Sequence, residues 1–172
     1  AKAINDCMVE MVPLVADDIN GLRFLLITGQ AYFEDTMSRI AHVLPELPSH
    51  IRIVPYIDNM PEVMAATSII VCRSGASSIA EITALGIPSI QIPSPNVTNN
   101  HQEANARWLE KEGAAKVILE SQLSGHTLYE TIQQIAFDPI RYEHMAKMAK
   151  RLGKPDAALQ VYHIMRQLAD QS

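Results

Sequence analysis

Short apolar runs that alternate with stretches of helical spacing set what this chain can fold into. The runs lie at 22–28, 51–54, 68–72, 89–92 and 115–119. They are continuous rather than alternating, as expected of strands covered on both faces. Between them the apolar spacing is helical. Ile4, Met8, Met11, Val12 and Val15 open the pattern, with no strand before them. Further helices are expected at 32–43, 61–66, 77–85 and 99–112, then at 127–136, 139–151 and 156–169. Prolines 45 and 48, Gly86 with Pro88, Gly113 and the break Gly153-Lys154-Pro155 stop them. Strands alternating with helices predict an α/β fold, a Rossmann-like parallel sheet with helices on both faces. Ligands bind such sheets at the carboxyl ends of strands. Attention therefore falls on the loops after Thr28, Val54, Cys72 and Ile92.

Composition removes several function classes. The 172 residues are 48% hydrophobic, enough for one substantial core, and contain no repeat or dividing linker. The net charge of −5 and the lack of any Lys/Arg run argue against a nucleic-acid partner. No apolar stretch reaches the roughly 18–20 residues of a membrane span. Cys7 and Cys72 are too few for a disulfide framework and read as reduced thiols, which suits a cytosolic protein. The sequon Asn96-Val97-Thr98 is read as chance. The chain enters a helix at once from Ala1, with no initiator Met and no good cap, so a fragment of a longer chain is expected.

The stretch Cys72-Arg73-Ser74-Gly75-Ala76-Ser77-Ser78-Ile79-Ala80-Glu81 carries the most chemistry. A strand ends, Gly75 permits close backbone approach, and a helix begins. Free N–H groups and the positive dipole end at such a start suit a phosphate or diphosphate. Ser77 and Ser78 add hydroxyl donors. Ser78-x-x-Glu81 also spells a capping box, and residue types alone leave cap and ligand both open. No Walker A or Gly-x-Gly-x-x-Gly pattern occurs, which disfavours the common ATP and NAD loops.

The loop after the fourth run, 92–101, is long, polar and stiffened by proline. Gln102 and Asn105 then share one helix face. Amides donate and accept, as sugar hydroxyls require, although an ordinary polar first turn explains these types more economically. The six histidines show no metal-ligand spacing, so no metal and no cofactor is expected. Asp58 reads as a cap for the following turn, Trp108 as packing, and Met145 and Met148 as core. Arg73 could pair with a phosphate or with a carboxylate.

Several segments together resemble one family. They are Val54-Pro55-Tyr56-Ile57-Asp58-Asn59-Met60, Val71-Cys72-Arg73-Ser74-Gly75-Ala76, Glu81, His101-Gln102-x-x-Asn105 and Leu109-Glu110-Lys111-x-Gly113-Ala114-Ala115. In this order they are similar to the C-terminal half of the MurG family. Its members are bacterial transferases that move N-acetylglucosamine from UDP-N-acetylglucosamine to the lipid-linked N-acetylmuramyl-pentapeptide of peptidoglycan synthesis. The resemblance spans essentially the whole chain. It implies the C-terminal half of a GT-B glycosyltransferase, with residues 1–172 as the UDP-sugar-binding domain. The acceptor domain, the first strand and a Gly-rich loop would precede Ala1. It also implies that Ile57 meets uracil through its backbone. Ser77 and Ser78 would face the diphosphate, and Glu81 the ribose hydroxyls. Gln102 and Asn105 would hold sugar hydroxyls beside His101. The catalytic base and the lipid acceptor would belong to the N-terminal domain, at the cytoplasmic face of the membrane, with peripheral membrane contact. A UDP-sugar epimerase domain and a non-catalytic donor-binding subunit are the alternatives. The apolar stripe Ala158, Val161, Tyr162, Met165 and Leu168 would then find part of its cover in the other domain.

Overall fold

A computed structural model describes residues 1–17, 21–97 and 100–169. The order is α1 (Lys2–Ala16), β1 (Phe24–Ile27), a 3-10 turn (Gln30–Tyr32), α2 (Phe33–Val43), β2 (Ile51–Val54), α3 (Met60–Ala65) and β3 (Ile70–Cys72). There follow α4 (Ala76–Leu85), β4 (Ser89–Gln91), α5 (His101–Lys111), β5 (Ala115–Val117), a 3-10 turn (Glu120–Gln122), α6 (Gly125–Ala136), α7 (Pro139–Leu152) and α8 (Ala157–Ala169). Every expected strand and helix forms. Ends move by a residue or two, because the polar and glycine residues at each end decide where hydrogen bonding stops. The expected start of α5 at Asn99 lies outside the described residues.

The parallel pairing is as expected, and the sheet is divided at the place where the resemblance puts a strand that precedes α1. All strand pairs are parallel, but they form two sheets, β1-β2 and β3-β4-β5. Phe24 pairs with Ile51 and Ile27 with Val54 in the first. Ile70, Ser89 and Ala115 align across the second. Among the described residues β1 and β3 each keep one unpaired edge.

Helix α1 joins the two sheets. Its Met8, Met11, Val12 and Val15 lie in one buried cluster with Leu26 and Ile51 of the first sheet and Ile90 of the second. Leu128, Ile132 and Ile135 of α6 complete it. Ala1 offers no side-chain cap and Pro13 withholds a backbone donor inside α1, so packing rather than local propensity holds this helix. Asp6 of α1 is bonded by Arg39 of α2 and by Lys2, which together keep its carboxyl below the usual range.

The α1–α6 contact is close. Gly125, the first residue of α6, lies so near α1 that a Cβ would come within 2.7 Å of the Glu10 carbonyl carbon and the Met11 nitrogen. The Glu10 carboxylate accepts the Gly125 N–H at 3.0 Å, a negative charge on the positive end of α6. Gly86 ends α4 in the left-handed region at φ 74°, as the sequence requires of a helix stop.

Met145 is buried and Met148 packs on the smaller cluster of Ile79, Leu109, Ala114, Ala115 and Ala149, so both read correctly as core. Trp108 does not: it is 46% exposed. It falls on the face of α5 opposite Ala106 and Leu109, which take the core position. Helix α8 buries none of its described residues, and Val161, Tyr162, Met165 and Leu168 all face solvent.

Gly125→Ala places a methyl against backbone that cannot move without shifting α1. The substitution should cost about 1–3 kcal/mol, lowering the melting temperature by several degrees in a thermal scan. An unchanged melting temperature would show that the α1–α6 approach is looser than its geometry.

Candidate functional site

The carboxyl ends of β2, β3 and β4 lead into the loops that the sequence singled out. At the end of β3, Gly75 caps α4 with extended backbone, φ −71° and ψ 147°. No side chain caps this helix and its first turn holds no acid. The helix dipole and the first N–H groups are therefore unanswered by any described side chain. A Cβ on Gly75 would meet nothing within 4 Å, so open space lies over the loop.

The capping box is not formed. Because α4 begins at Ala76, Ser78 stands third in the helix and Glu81 sixth, too far along to reach a cap N–H. Ser77 and Glu81 are exposed and Ser78 is half-buried. These three side chains share one face at i, i+3 and i, i+4 spacing. None of the three makes a hydrogen bond or ion pair with the described residues. A carboxylate left free on the same face as an open helix start can accept two neighbouring hydroxyls.

The loop after β4 is braced, not free. Gln102 Oε1 accepts the Ser94 N–H at 2.9 Å, which ties α5 to its own entry loop. Asn105 Nδ2 donates to the Ser74 carbonyl at 3.2 Å, which ties α5 to the loop after β3. Both amides keep a second polar atom outside these bonds: Gln102 Nε2 and Asn105 Oδ1. His101 is exposed at the first position of α5. Asn100 enters the helix in the left-handed region, φ 51°, and donates to Glu103 Oε2 at 2.8 Å.

Arg73 pairs with a carboxylate. Its Nη2 lies 2.5 Å from Glu120 Oε2, and Nη1 donates to the carbonyls of Ile92 and Pro93, both at 3.1 Å. The Glu120 contact is an ion pair, and among the described residues this buried oxygen has no hydrogen-bond partner. Ser74 is fully buried and its Oγ has no hydrogen-bond partner among the described residues either.

Ile57 is half-buried in the loop after β2, and the helix that follows, α3, touches α4. Asp58 does not cap α3. That position is taken by Asn59, whose side chain instead donates to Glu62 at 2.7 Å. Neither cysteine is bonded to the other. Burial, with Glu10 nearby, pushes the Cys7 thiol up to about 12, and burial pushes Cys72 up to about 11 against a hydrogen bond from Gln91. Both are therefore protonated and weakly nucleophilic near neutral pH. No group of His, Cys, Asp and Glu among the described residues could hold a metal, and no described helix is long and apolar enough to cross a membrane. The sequon threonine, Thr98, lies outside the described residues.

Sequence reasoning allowed Arg73 a carboxylate partner but did not identify Glu120, and it missed the bracing by Gln102 and Asn105. Glu120 and Ser74 lie far along the chain from Arg73 and Asn105, which leaves no local signal, and the Ser94 bond to Gln102 depends on how the loop between them folds.

Comparison with solved structures places the fold. The structure of MurG from Acinetobacter baumannii superposes with a TM-score of 0.80 at 25% identity, covering 97% of this chain and 46% of that one. The glycosyltransferase VinC in complex with DTDP gives 0.71 at 17% identity, covering 96% and 38%, a likeness of fold alone. The fold defines an α/β domain of the GT-B glycosyltransferase type. The chain belongs to the glycosyltransferase family 28 C-terminal domain family, whose model matches residues 1–161. A UDP-N-acetylglucosamine--N-acetylmuramyl-(pentapeptide) pyrophosphoryl-undecaprenol N-acetylglucosamine transferase of Oenococcus oeni is 47% identical over 147 residues, 86% of this chain and 39% of that protein. Its namesake in Bacillus cereus is 42% identical over 168 residues, 98% and 45%. The chain thus spans less than half the length of these relatives.

Proposed function

We propose that this chain is the donor-binding domain of a MurG-type inverting glycosyltransferase, and that its ligand is UDP-N-acetylglucosamine. One observation carries the reading: the uncapped, acid-free start of α4, with Ser77, Ser78 and Glu81 unengaged on one face. The diphosphate lies on that helix start, where N–H groups and the dipole meet its charge. Ser77 and Ser78 donate to it. Glu81 accepts the ribose hydroxyls, and the Ile57 backbone meets uracil. Gln102 Nε2 and Asn105 Oδ1, the atoms their braces leave over, face the sugar hydroxyls beside His101.

In the whole enzyme an acceptor hydroxyl attacks the anomeric carbon as the bond to UDP breaks. Charge then grows on the β-phosphate, and the start of α4 stabilises it without reorganising. The chain orients the donor. The lipid-linked muramyl-pentapeptide and the base that takes its proton belong to the N-terminal domain, which meets the cytoplasmic face of the membrane peripherally and covers α8. No metal or cofactor takes part in this scheme.

The divided sheet supports the domain assignment. The free edges of β1 and β3 are bridged by α1, and one further parallel strand between them would join the order β2-β1 to β3-β4-β5. We assign that place to a strand running into a Gly-rich loop, upstream of α1.

Titration calorimetry should show this chain taking up UDP-N-acetylglucosamine more tightly than UDP-glucose. Glu81→Gln should weaken UDP binding by about 1–3 kcal/mol, the worth of a charged hydrogen bond. Its melting temperature should hardly move, because Glu81 caps nothing and surface changes stay within about 0.5 kcal/mol. A large stability loss with unchanged UDP affinity would return Glu81 to a structural role.

The chain by itself should transfer no sugar, with or without divalent metal, in an assay of radiolabel incorporation into the lipid acceptor. Extending it with the segment that precedes this region in the Bacillus cereus relative should raise the melting temperature by several degrees, since ~1 kcal/mol shifts a domain of this size by roughly 2–4 °C. Turnover by the chain alone would remove the separate base, and an unmoved melting temperature would remove the bridging strand.

A further inference from the structure

We infer that Arg73 is a positioning residue for sugar recognition, held in place by Glu120, and not a ligand of the diphosphate. The inference rests on the donor-binding reading above and adds a division of labour within it.

The guanidinium is already spent. Nη1 donates to two successive carbonyls, Ile92 and Pro93, where the chain leaves β4. Nη2 lies against Glu120, in the turn that follows β5. The side chain is 22% exposed and Glu120 is 30% exposed, so the pair is only partly screened by water. A charge so neutralised has little left for a second anion.

What the contacts do fix is a loop. The backbone N–H of Ile92 donates to Cys72 at 2.8 Å, so the clamp continues the β3–β4 ladder past its last paired residue. The next N–H, that of Ser94, is bonded by Gln102, and the residue after Arg73 supplies the carbonyl that holds Asn105. Arg73 thus stands at the crossing of the two loops, and the two amides proposed for the sugar hang from its immediate neighbours. The side chains on α4 lie outside this net: Ser77, Ser78 and Glu81 make none of these bonds. Loosening the clamp should therefore disturb the sugar contacts and spare the diphosphate. Arg is suited to this because its planar fork reaches two carbonyls and a carboxylate at once, which a lysine ammonium on a flexible stem does not reproduce.

The test compares UDP with UDP-N-acetylglucosamine, by titration calorimetry on the whole chain, for the wild type, Arg73→Lys and Glu120→Gln. Thermal melting checks that each variant is folded. Glu120→Gln keeps the side-chain shape and frees the Arg73 charge, so it stays informative if Arg73→Lys does not fold. The expected result is a fall in UDP-N-acetylglucosamine affinity of about tenfold in both variants, with UDP affinity held within about twofold, because misplaced polar groups act on the sugar alone. Equal loss for both ligands in Arg73→Lys, or tighter UDP binding in Glu120→Gln, overturns the inference and makes Arg73 a diphosphate ligand. Variants that bind both ligands as the wild type does overturn it as well. A wild-type chain that binds neither ligand instead fails the donor-binding reading itself.

Discussion

One helix holds together two sheets that share no backbone hydrogen bond. Strands β1 and β2 form one block and β3 to β5 the other. Met11, Val12 and Val15 of α1 are essentially inaccessible to water and lie in the cluster that contains residues of both blocks. Hydrophobic contact is non-directional, so it can join blocks that hydrogen bonding leaves apart. The close approach of Gly125 then fixes α1 against α6, and α6 belongs to the same cluster. The consequence for the site is direct. The loop of Ile57 follows β2 in the first block, whereas the α4 start and the loop after β4 belong to the second. A nucleotide sugar laid across these loops would span the division, and the packing of α1 sets how far apart its two ends are held.

The chemistry of the site follows from strand direction. In a parallel sheet all carboxyl ends lie on one edge, and each crossover helix starts there. Among the described helices, α6 and α7 answer their starts with the side chains of Ser124 and Asp138. Helix α4 does not. Leaving a helix start uncapped forgoes about 1 kcal/mol. Here that loss leaves N–H groups aimed at open space beside two serines and a carboxylate, and an anion can recover it.

The fold was legible in the sequence because its signals are local. Runs such as 24–27 and 70–72 are continuous, and Gly86 stops a helix by its own backbone freedom. What was not legible depends on distance. The split of the sheet is a matter of pairing, which no run of residues states. Trp108 has the composition of a core residue, yet the face of α5 that it occupies points outward. The site was legible as a set of residue types at strand ends. The capping expected of Ser78 and Asp58 was not, because a cap depends on where the first helical turn begins: the cap of α4 falls three residues before Ser78 and that of α3 one residue after Asp58.

The amides show why ligand and structural readings of one residue need not compete. An amide carries a carbonyl oxygen and an NH₂ group at opposite corners of one plane. Gln102 uses its oxygen on Ser94, and Asn105 uses its nitrogen on Ser74. Each bond fixes the plane, and so fixes the direction of the atom left over. A side chain immobilised in this way loses little further rotamer freedom when a ligand arrives, so more of the contact energy appears as affinity. The polar first turn that reads more economically for Gln102 and Asn105 is then the means by which the proposed sugar site would be made rigid. The brace and the contact are two ends of the same amide.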